Sequence, residues 1–359
     1  MKAIRRHHRR YVMKESTESA REPEPEVSII ILTYNNENTV EECLKSVLNT
    51  NYGNFKVIVI DGGSSDKTMD LLRSFENEDN LCLTSTGTLK SFAFARNMGA
   101  KLAATSKYLV FLDSDVIVSD ANWLGVLVRF MESNPFAFGA NPAIVSYKSR
   151  LVQSLGTSLQ SMPPWDVANC EFMPAEKLSS MHEPQETWSL HGAAMILRRE
   201  EFMRVGGYDE GIDWGSHDDL DLTWRLKLMG GRFYGVPIAT VLHHGGTTTR
   251  KLYASYQVQT FQYYQLYLML KNMEWTSLVK YLPPYMLLSL AGSLVTVRLT
   301  HIPFKGLIWN AKNLRRTFAS RRRIQKYRLR SDKFVFSVPK MPMLTAYRIL
   351  KRHINRLDS

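Results

Sequence analysis

Two carboxylates spaced one residue apart close the run YLVFLDSD, Tyr108 to Asp115. Alternate residues of an extended chain point to the same side, so Asp113 and Asp115 can face one site together. Paired hard oxygen ligands suit a hard divalent cation, Mg2+ or Mn2+. Taken alone, the same Asp-Ser-Asp triplet can also end a strand as a polar turn. A second acidic pair, Asp218 and Asp219, opens the run DDLDLTWR. One such carboxylate can take a proton from a hydroxyl, and adjacent acids repel, which raises one pKa. Acids in a first helical turn also favour the positive end of the helix without any chemistry. Two histidines, His243 and His244, follow the strand-like GVPIATVL, Gly235 to Leu242. Either can complete a metal site through a neutral imidazole, and the sequence does not choose between them.

These groups need elements that bring them together. Val27 to Thr33, VSIIILT, reads as a buried strand. Asn38, with Glu41 three residues on, has the pattern of a capping box, and Val40, Cys43, Leu44, Val47 and Leu48 follow helical spacing. A second strand over Phe55 to Ile60 is closed by Asp61, Gly62 and Gly63. Ser64, Ser65 or Asp66 then caps a helix to about Phe75. A strand near Leu81 to Thr84 and a helix around Phe92 to Ala104 precede the strand that ends in Asp113. Strands alternating with helices imply an α/β fold, a mostly parallel sheet with right-handed crossovers. Ligands of such sheets bind beyond the carboxyl ends of the strands. Thr33, Tyr34 and Asn35, then Asp61, then Asp113 and Asp115, all stand at such ends.

In this order and spacing the motifs resemble inverting glycosyltransferase family 2, of GT-A fold. The motifs are Thr33-Tyr34-Asn35, DGGSSD from Asp61, and FLDSD ending in Asp115. GGYDE from Gly206, the Asp218/Asp219 run and Gly230-Gly231-Arg232 add a likeness to the rhamnosyltransferase-like branch. The resemblance covers roughly residues 25–250 and says little about the sugar. It implies that Asp61 reads a nucleotide base in a pocket lined by Thr33, Tyr34 and Asn35; a turn aspartate is the alternative. It implies that Asp113 and Asp115 hold Mn2+ or Mg2+ on the diphosphate of a nucleotide sugar, Asp115 being the firmer ligand. In Ala95-Arg96-Asn97-Met98-Gly99, Asn97 would hold the loop before the metal strand, and Arg96 or Lys90 would contact the diphosphate or simply be solvated. Asp219 matches the base, with Asp218 in a supporting role where Glu is more usual. A histidine at the His243/His244 position often contacts the cation or diphosphate in the family. The loop at His191 and Gly192 would touch donor sugar and acceptor. Trp188 and Trp214 would stack on a sugar or lipid-linked acceptor, or pack in the core.

The chain has 359 residues, 44% of them hydrophobic, enough for a sizeable core. Three scattered cysteines, Cys43, Cys82 and Cys170, have no metal-ligand spacing, and a reducing compartment is the expectation. The basic N-terminus lacks a following apolar stretch, so no secretory signal is expected. Charge is uneven. Residues 1–21 hold seven Lys/Arg against two acids, residues 22–297 hold 22 against 30, and residues 298–359 hold 17 against two. Three regions follow: a loose tail over 1–25, a GT-A domain over 26–250, and a helical, basic, membrane-proximal extension over 251–359. Tyr253, Tyr256, Phe261, Tyr263, Tyr264 and Tyr267 suit a membrane–water boundary or the packing face of a homo-oligomer. Tyr281 to Val297 is nearly free of charge, yet spanning needs roughly 20 apolar residues. With Lys280, Arg298 and the clusters at Arg315 and Arg321, this predicts peripheral or monotopic attachment to an anionic membrane surface, at the cytoplasmic face. The expected acceptor is a glycan hydroxyl, carried on a polyprenyl phosphate or diphosphate. Two other classes compete. A nucleic-acid-binding protein would use the basic tail, but aromatics are not interleaved with Arg/Lys in an RNA-binding motif, and no nucleic acid partner is expected. A sugar nucleotidyltransferase would open with a Gly-rich loop, which Thr33-Tyr34-Asn35-Asn36 is not.

Overall fold

The computed structural model describes residues 23–88, 90–159, 166–212, 217–245, 254–295, 302–338 and 340. The strands are β1 Val27–Thr33, β2 Phe55–Asp61, β3 Leu81–Ser85, β4 Tyr108–Asp113, β5 Val116–Val118, β6 Ala137–Ser146, β7 Val152–Ser154, β8 Thr157–Leu159, β9 Asp166–Ala168, β10 Gln185–Thr187, β11 Ala194–Arg198 and β12 Arg232–His243. The helices are α1 Val40–Leu48, α2 Thr68–Arg73, α3 Phe92–Leu102, α4 Trp123–Ser133, α5 Arg199–Arg204, α6 Asp218–Leu228, α7 Ala254–Asn272, α8 Trp275–Val295, α9 Ile302–Lys312, α10 Leu314–Tyr327 and α11 Asp332–Val335. The expected tail over residues 1–22, Trp214, Tyr253, Arg298 and residues 341–359 lie outside the described residues, as do the side chains of Tyr256 and Phe261.

One sheet organises the chain, in the order β10-β12-β6-β11-β4-β1-β2-β3, with β5 beside β12 and β7 beside β6. β1 pairs in parallel with β2 and β4, in a register that sets Thr33 against Asp61 and Leu32 against Asp113. The three polar strand ends are therefore level along one edge. Alternation divides the strand side chains between two faces. Ile29, Ile31, Val57, Val59, Val110 and Leu112 pack with α1 and α4. Ile30, Ile58, Ile60, Leu109 and Phe111 pack with α3 and α6. Gly99 lets α3 lie close on the sheet, since a Cβ there would meet Ile30 Cγ2 at 2.5 Å.

The parallel arrangement holds for β3-β2-β1-β4 and again between β6 and β12. The second half of the sheet is mixed, because β11 runs antiparallel between β4 and β6. The chain enters β11 from the site edge, so the start of this strand, not its end, lies beside Asp113. Asp113 N–H donates to Ala193 O at 2.9 Å. The Asn38 cap does not form: Thr39 occupies the cap position of α1, and the Asn36 carbonyl accepts from Thr39 and Val40 N–H.

The C-terminal helices build a third core. Tyr264, Tyr267, Leu268, Met269, Leu278 and Tyr285 pack with Trp188, Leu220 and Trp224 of the sheet and α6. Tyr264 and Tyr267 are buried, both edge-on to Trp309, so their rings serve intramolecular packing and not a boundary belt. α8 carries Pro283 and Pro284 within it. Among the described residues no helix is long and apolar enough to cross a membrane.

Candidate active site

The carboxyl edge of the sheet opens into a cleft lined by Thr33, Tyr34, Lys90, Arg96, Asp113, Asp115, His191, Gly192, Asp218, Asp219 and His243. Asp113 ends β4 and Asp115 begins the turn into β5, which pairs with the end of β12 and so brings His243 across from them. Donor atoms of Asp113, Asp115 and His243 all lie within 4.8 Å of one another. His243 Nε2 stands 3.2 Å from Asp115 Oδ1. Its other nitrogen, Nδ1, is 2.7 Å from Gln153 Oε1 of β7. A carboxamide oxygen only accepts, so Nδ1 donates to Gln153, and with a cation bound Nε2 would turn its lone pair to the metal. Burial disfavours the imidazolium of His243, but Asp115 outweighs it and holds the pKa above its ordinary value. Two hard oxygens and one imidazole form a chemically suitable set for Mn2+ or Mg2+.

His244 points away from this group, as neighbouring residues of a strand must. It stacks on Tyr147 at 4.1 Å between ring centroids, while its backbone N–H donates to Asp115 O at 3.0 Å. Of the two histidines, His243 belongs to the cluster and His244 braces its backbone. Replacing Gln153 by Leu should weaken Mn2+ binding about 10–100-fold by releasing the His243 tautomer. Calorimetric Mn2+ titration of wild type and variant measures this; equal affinities would contradict the assigned tautomer.

The second acid pair faces the first across Arg96. Arg96 is buried in α3 and donates to Asp218 Oδ2 at 2.6 Å and to Asp113 Oδ1 at 3.2 Å. One guanidinium thus ties the metal triplet to the start of α6. The diphosphate contact expected of Arg96 gives way here to two carboxylates, whereas Lys90 is exposed at the cleft. Burial pushes Asp218 up to about 6, against the pull of Arg96. Asp219 is less enclosed. Its Oδ2 accepts from Gly192 N–H at 2.8 Å and its Oδ1 from Leu220 N–H at 2.8 Å. A Cβ on Gly192 would come within 3.1 Å of Asp219 Oδ2, a tight approach that would press on this carboxylate. His191 Nδ1 accepts from Ala193 N–H at 3.2 Å, and burial lowers its pKa, which keeps the ring neutral.

Other expectations change. Asp61 is almost wholly buried, and its carboxylate accepts from Gly63 N–H at 2.8 Å and Ser64 N–H at 2.9 Å. It shapes its own turn and does not line the cleft. Asn35, with φ 50°, ties the end of β1 to the loop after β2, its Oδ1 accepting from Ser65 N–H at 2.8 Å. Asn36, Ser91 and Thr86 line the cleft instead, none of them anticipated. Thr86 follows β3, whose carboxyl end shares the edge, and Ser91 caps α3, so both were findable by the strand-end rule. Asn97 holds the Gly207 to Glu210 loop, not the one before β4: its Nδ2 donates to Tyr208 O at 3.0 Å and Glu210 Oε1 at 2.9 Å. Trp188 is a core residue, edge-on to Trp224 at 5.6 Å.

A family model described as Glycosyl transferase family 2 matches residues 28–206. The chain belongs to glycosyltransferase family 2. Validoxylamine A glucosyltransferase of Streptomyces hygroscopicus subsp. limoneus is 29% identical over 224 residues, 57% of this chain and 49% of that protein. Rhamnosyltransferase WbbL of Escherichia coli (strain K12) is 24% identical over 242 residues, 64% of this chain and 87% of that protein. The chain spans about half the length of the Streptomyces relatives. Among solved structures, GalNAc-T7 with UDP, GalNAc and Mn2+ superposes with a TM-score of 0.54 at 18% identity, covering 70% of this chain and 51% of that one. That likeness is one of fold, the GT-A arrangement of a central sheet flanked by helices. Family membership thus rests on the matched sequence, and the sheet edge gives its motifs their common site.

Proposed function

We propose that this protein transfers a sugar, with inversion, from a nucleotide-sugar donor to a hydroxyl of a lipid-linked glycan at a membrane face. The observation that carries the reading is one cleft holding two acid clusters on opposite sides of a single guanidinium. Asp113, Asp115 and His243 would hold a divalent cation. Bound there, it supplies positive charge for the departing nucleoside diphosphate. GalNAc-T7, a protein of the same fold, was solved with UDP and Mn2+ together, which supports this pairing. Thr33 Oγ1 is buried at the cleft wall without a hydrogen-bond partner among the described residues, which suits a polar nucleoside group. Asp219 accepts the proton of the acceptor hydroxyl as its oxygen bonds to the anomeric carbon. The bond from that carbon to the phosphate oxygen breaks, and its electron pair leaves with the diphosphate. Gly192 N–H fixes the Asp219 carboxylate, and Arg96 keeps Asp218 ionically paired beside it.

A thermal-shift panel of nucleoside diphosphates, with and without Mn2+, tests the reading. A ligand at a hundred times its Kd stabilises by about 2.7 kcal/mol. One member should raise the Tm in Mn2+ well above its effect without metal, and Asp115→Ala should erase the difference. No metal-dependent shift with any diphosphate would sink the proposal. Release of nucleoside triphosphate from nucleotide sugar and pyrophosphate would favour a nucleotidyltransferase.

A further inference from the structure

The C-terminal helices carry apolar side chains on their outer surface as well as their inner one. The inner side of α8 places Leu278 and Tyr285 in the third core. Its outer side exposes Trp275, Val279, Pro283 and Leu287 at successive i, i+4 steps, a ridge that winds slowly round a helix. Val279 is 79% exposed and Leu287 70%. Twelve residues of helix extend this ridge for about 18 Å. α10 exposes Leu314 and Phe318, also i, i+4, and its Phe318 ring is 6.4 Å from that of Trp275. The two ridges therefore meet. A groove at their junction is lined by Trp275, Phe318, Arg321 and Arg322, with Glu274 its one acid. Arg321 stacks 4.0 Å over Trp275 and donates to Leu270 O and Met273 O, which locks the aromatic in place. Lys280, Arg315 and Arg322 are exposed beside the ridges.

We propose that the outer ridge of α8 and the exposed face of α10 form a docking surface for an anionic lipid leaflet. The surface deepens the reading above, on which it rests for its purpose, that the acceptor is lipid-linked. Trp275 lies in the interfacial layer, where an aromatic with one polar edge is favoured, and the apolar Phe318 ring sits beside it. Val279 and Leu287 enter the acyl boundary, and Arg315 and Arg322 meet lipid phosphates, each near-surface cation contributing about 1 kcal/mol. Among the described residues no helix is long and apolar enough to cross a membrane, so in this proposal α8 lies on the leaflet. Charge disfavours a second copy as occupant, since Lys280, Arg315 and Arg322 are exposed beside the ridges and two such faces repel. A nucleic acid would match the cations but leave Val279, Pro283 and Leu287 without a partner.

Co-sedimentation of the full chain with phosphatidylcholine vesicles, with and without phosphatidylglycerol, tests the surface. Wild type should bind the anionic vesicles preferentially. Val279→Asp, at a position too exposed to disturb the core, should weaken partitioning about tenfold, and Phe318→Ser should do likewise. Both variants should keep the Mn2+-dependent diphosphate shift, which separates failure of docking from failure of the active-site reading. Vesicle binding unchanged by either variant would overturn the proposal. So would single-stranded RNA binding that displaces vesicles and ignores Val279.

Discussion

Asp219→Asn should lower kcat by about a hundred- to ten-thousandfold, the range in which a positioned general base contributes, and leave the metal-dependent diphosphate shift in place. The expectation follows from where the two acid clusters stand. Asp219 is no part of the Asp113, Asp115 and His243 group, so donor binding survives its neutralisation. Its backbone donors Gly192 and Leu220 can be met by only one oxygen of Asn, which adds a local cost that a Tm measurement will register. Steady-state kinetics with saturating donor therefore belong beside the melting curve. A loss of kcat with an intact fold and donor affinity supports the base. Near-normal turnover assigns the proton transfer elsewhere, and Asp218, paired with Arg96 at 2.6 Å, becomes the next residue to replace.

The largest effect on stability should come from Lys271→Met. Lys271 of α7 is fully buried, 2.6 Å from Asp209 Oδ2 and 2.7 Å from Asp221 Oδ1. Removing one member of a buried ionic group leaves uncompensated charge and costs about 3–5 kcal/mol. Burial alone would lower the Lys271 pKa; Asp221 and Asp209 outweigh it and raise it. Burial would raise the Asp209 pKa, but Lys271 outweighs that and holds it far below the ordinary range. A depressed acid stabilises above its unfolded pKa of about 3.9 and loses that contribution as pH falls. A raised lysine stabilises fully below about 10.4 and loses its share as pH climbs through its folded value. Wild type should thus lose stability in acid more steeply than Lys271→Met, whose Asp209 has lost its main cation. Denaturant melts across pH measure both curves. Adding Asp221→Asn to the variant should recover part of the loss. A variant as stable as wild type at neutral pH would show the ion group to be energetically idle.

The site was legible in the sequence where local pattern and strand direction suffice. Apolar runs ending in Thr33, Asp61 and Asp113 gave three strand ends, and parallel pairing made them level. The limits are equally physical. Asp61 stands at such an end, yet its own turn supplies two N–H donors that claim the carboxylate, and no pattern announces that competition. Gln153 sits on the three-residue strand β7 and reaches His243 only through sheet pairing ninety residues apart. Tyr264 and Tyr267 suit an amphiphilic surface as sequence, because composition does not say which face of a helix meets Trp309. Arg96 was found by motif, but its bridging of Asp113 and Asp218 required the fold.

The buried ion group also bears on how this chain can be cut or recombined. Asp209 and Asp221 belong to the segment that carries the acid pair, while the lysine they share comes from a helix beyond residue 250, and Asp221 has Arg225 besides. A fragment ending there would retain every proposed catalytic side chain, yet leave Asp209 without Lys271, Asp221 with Arg225 alone, and the third core without its C-terminal helices. Shortened or chimeric versions should therefore keep α7, or neutralise both aspartates together, before any loss of activity is blamed on the chemistry.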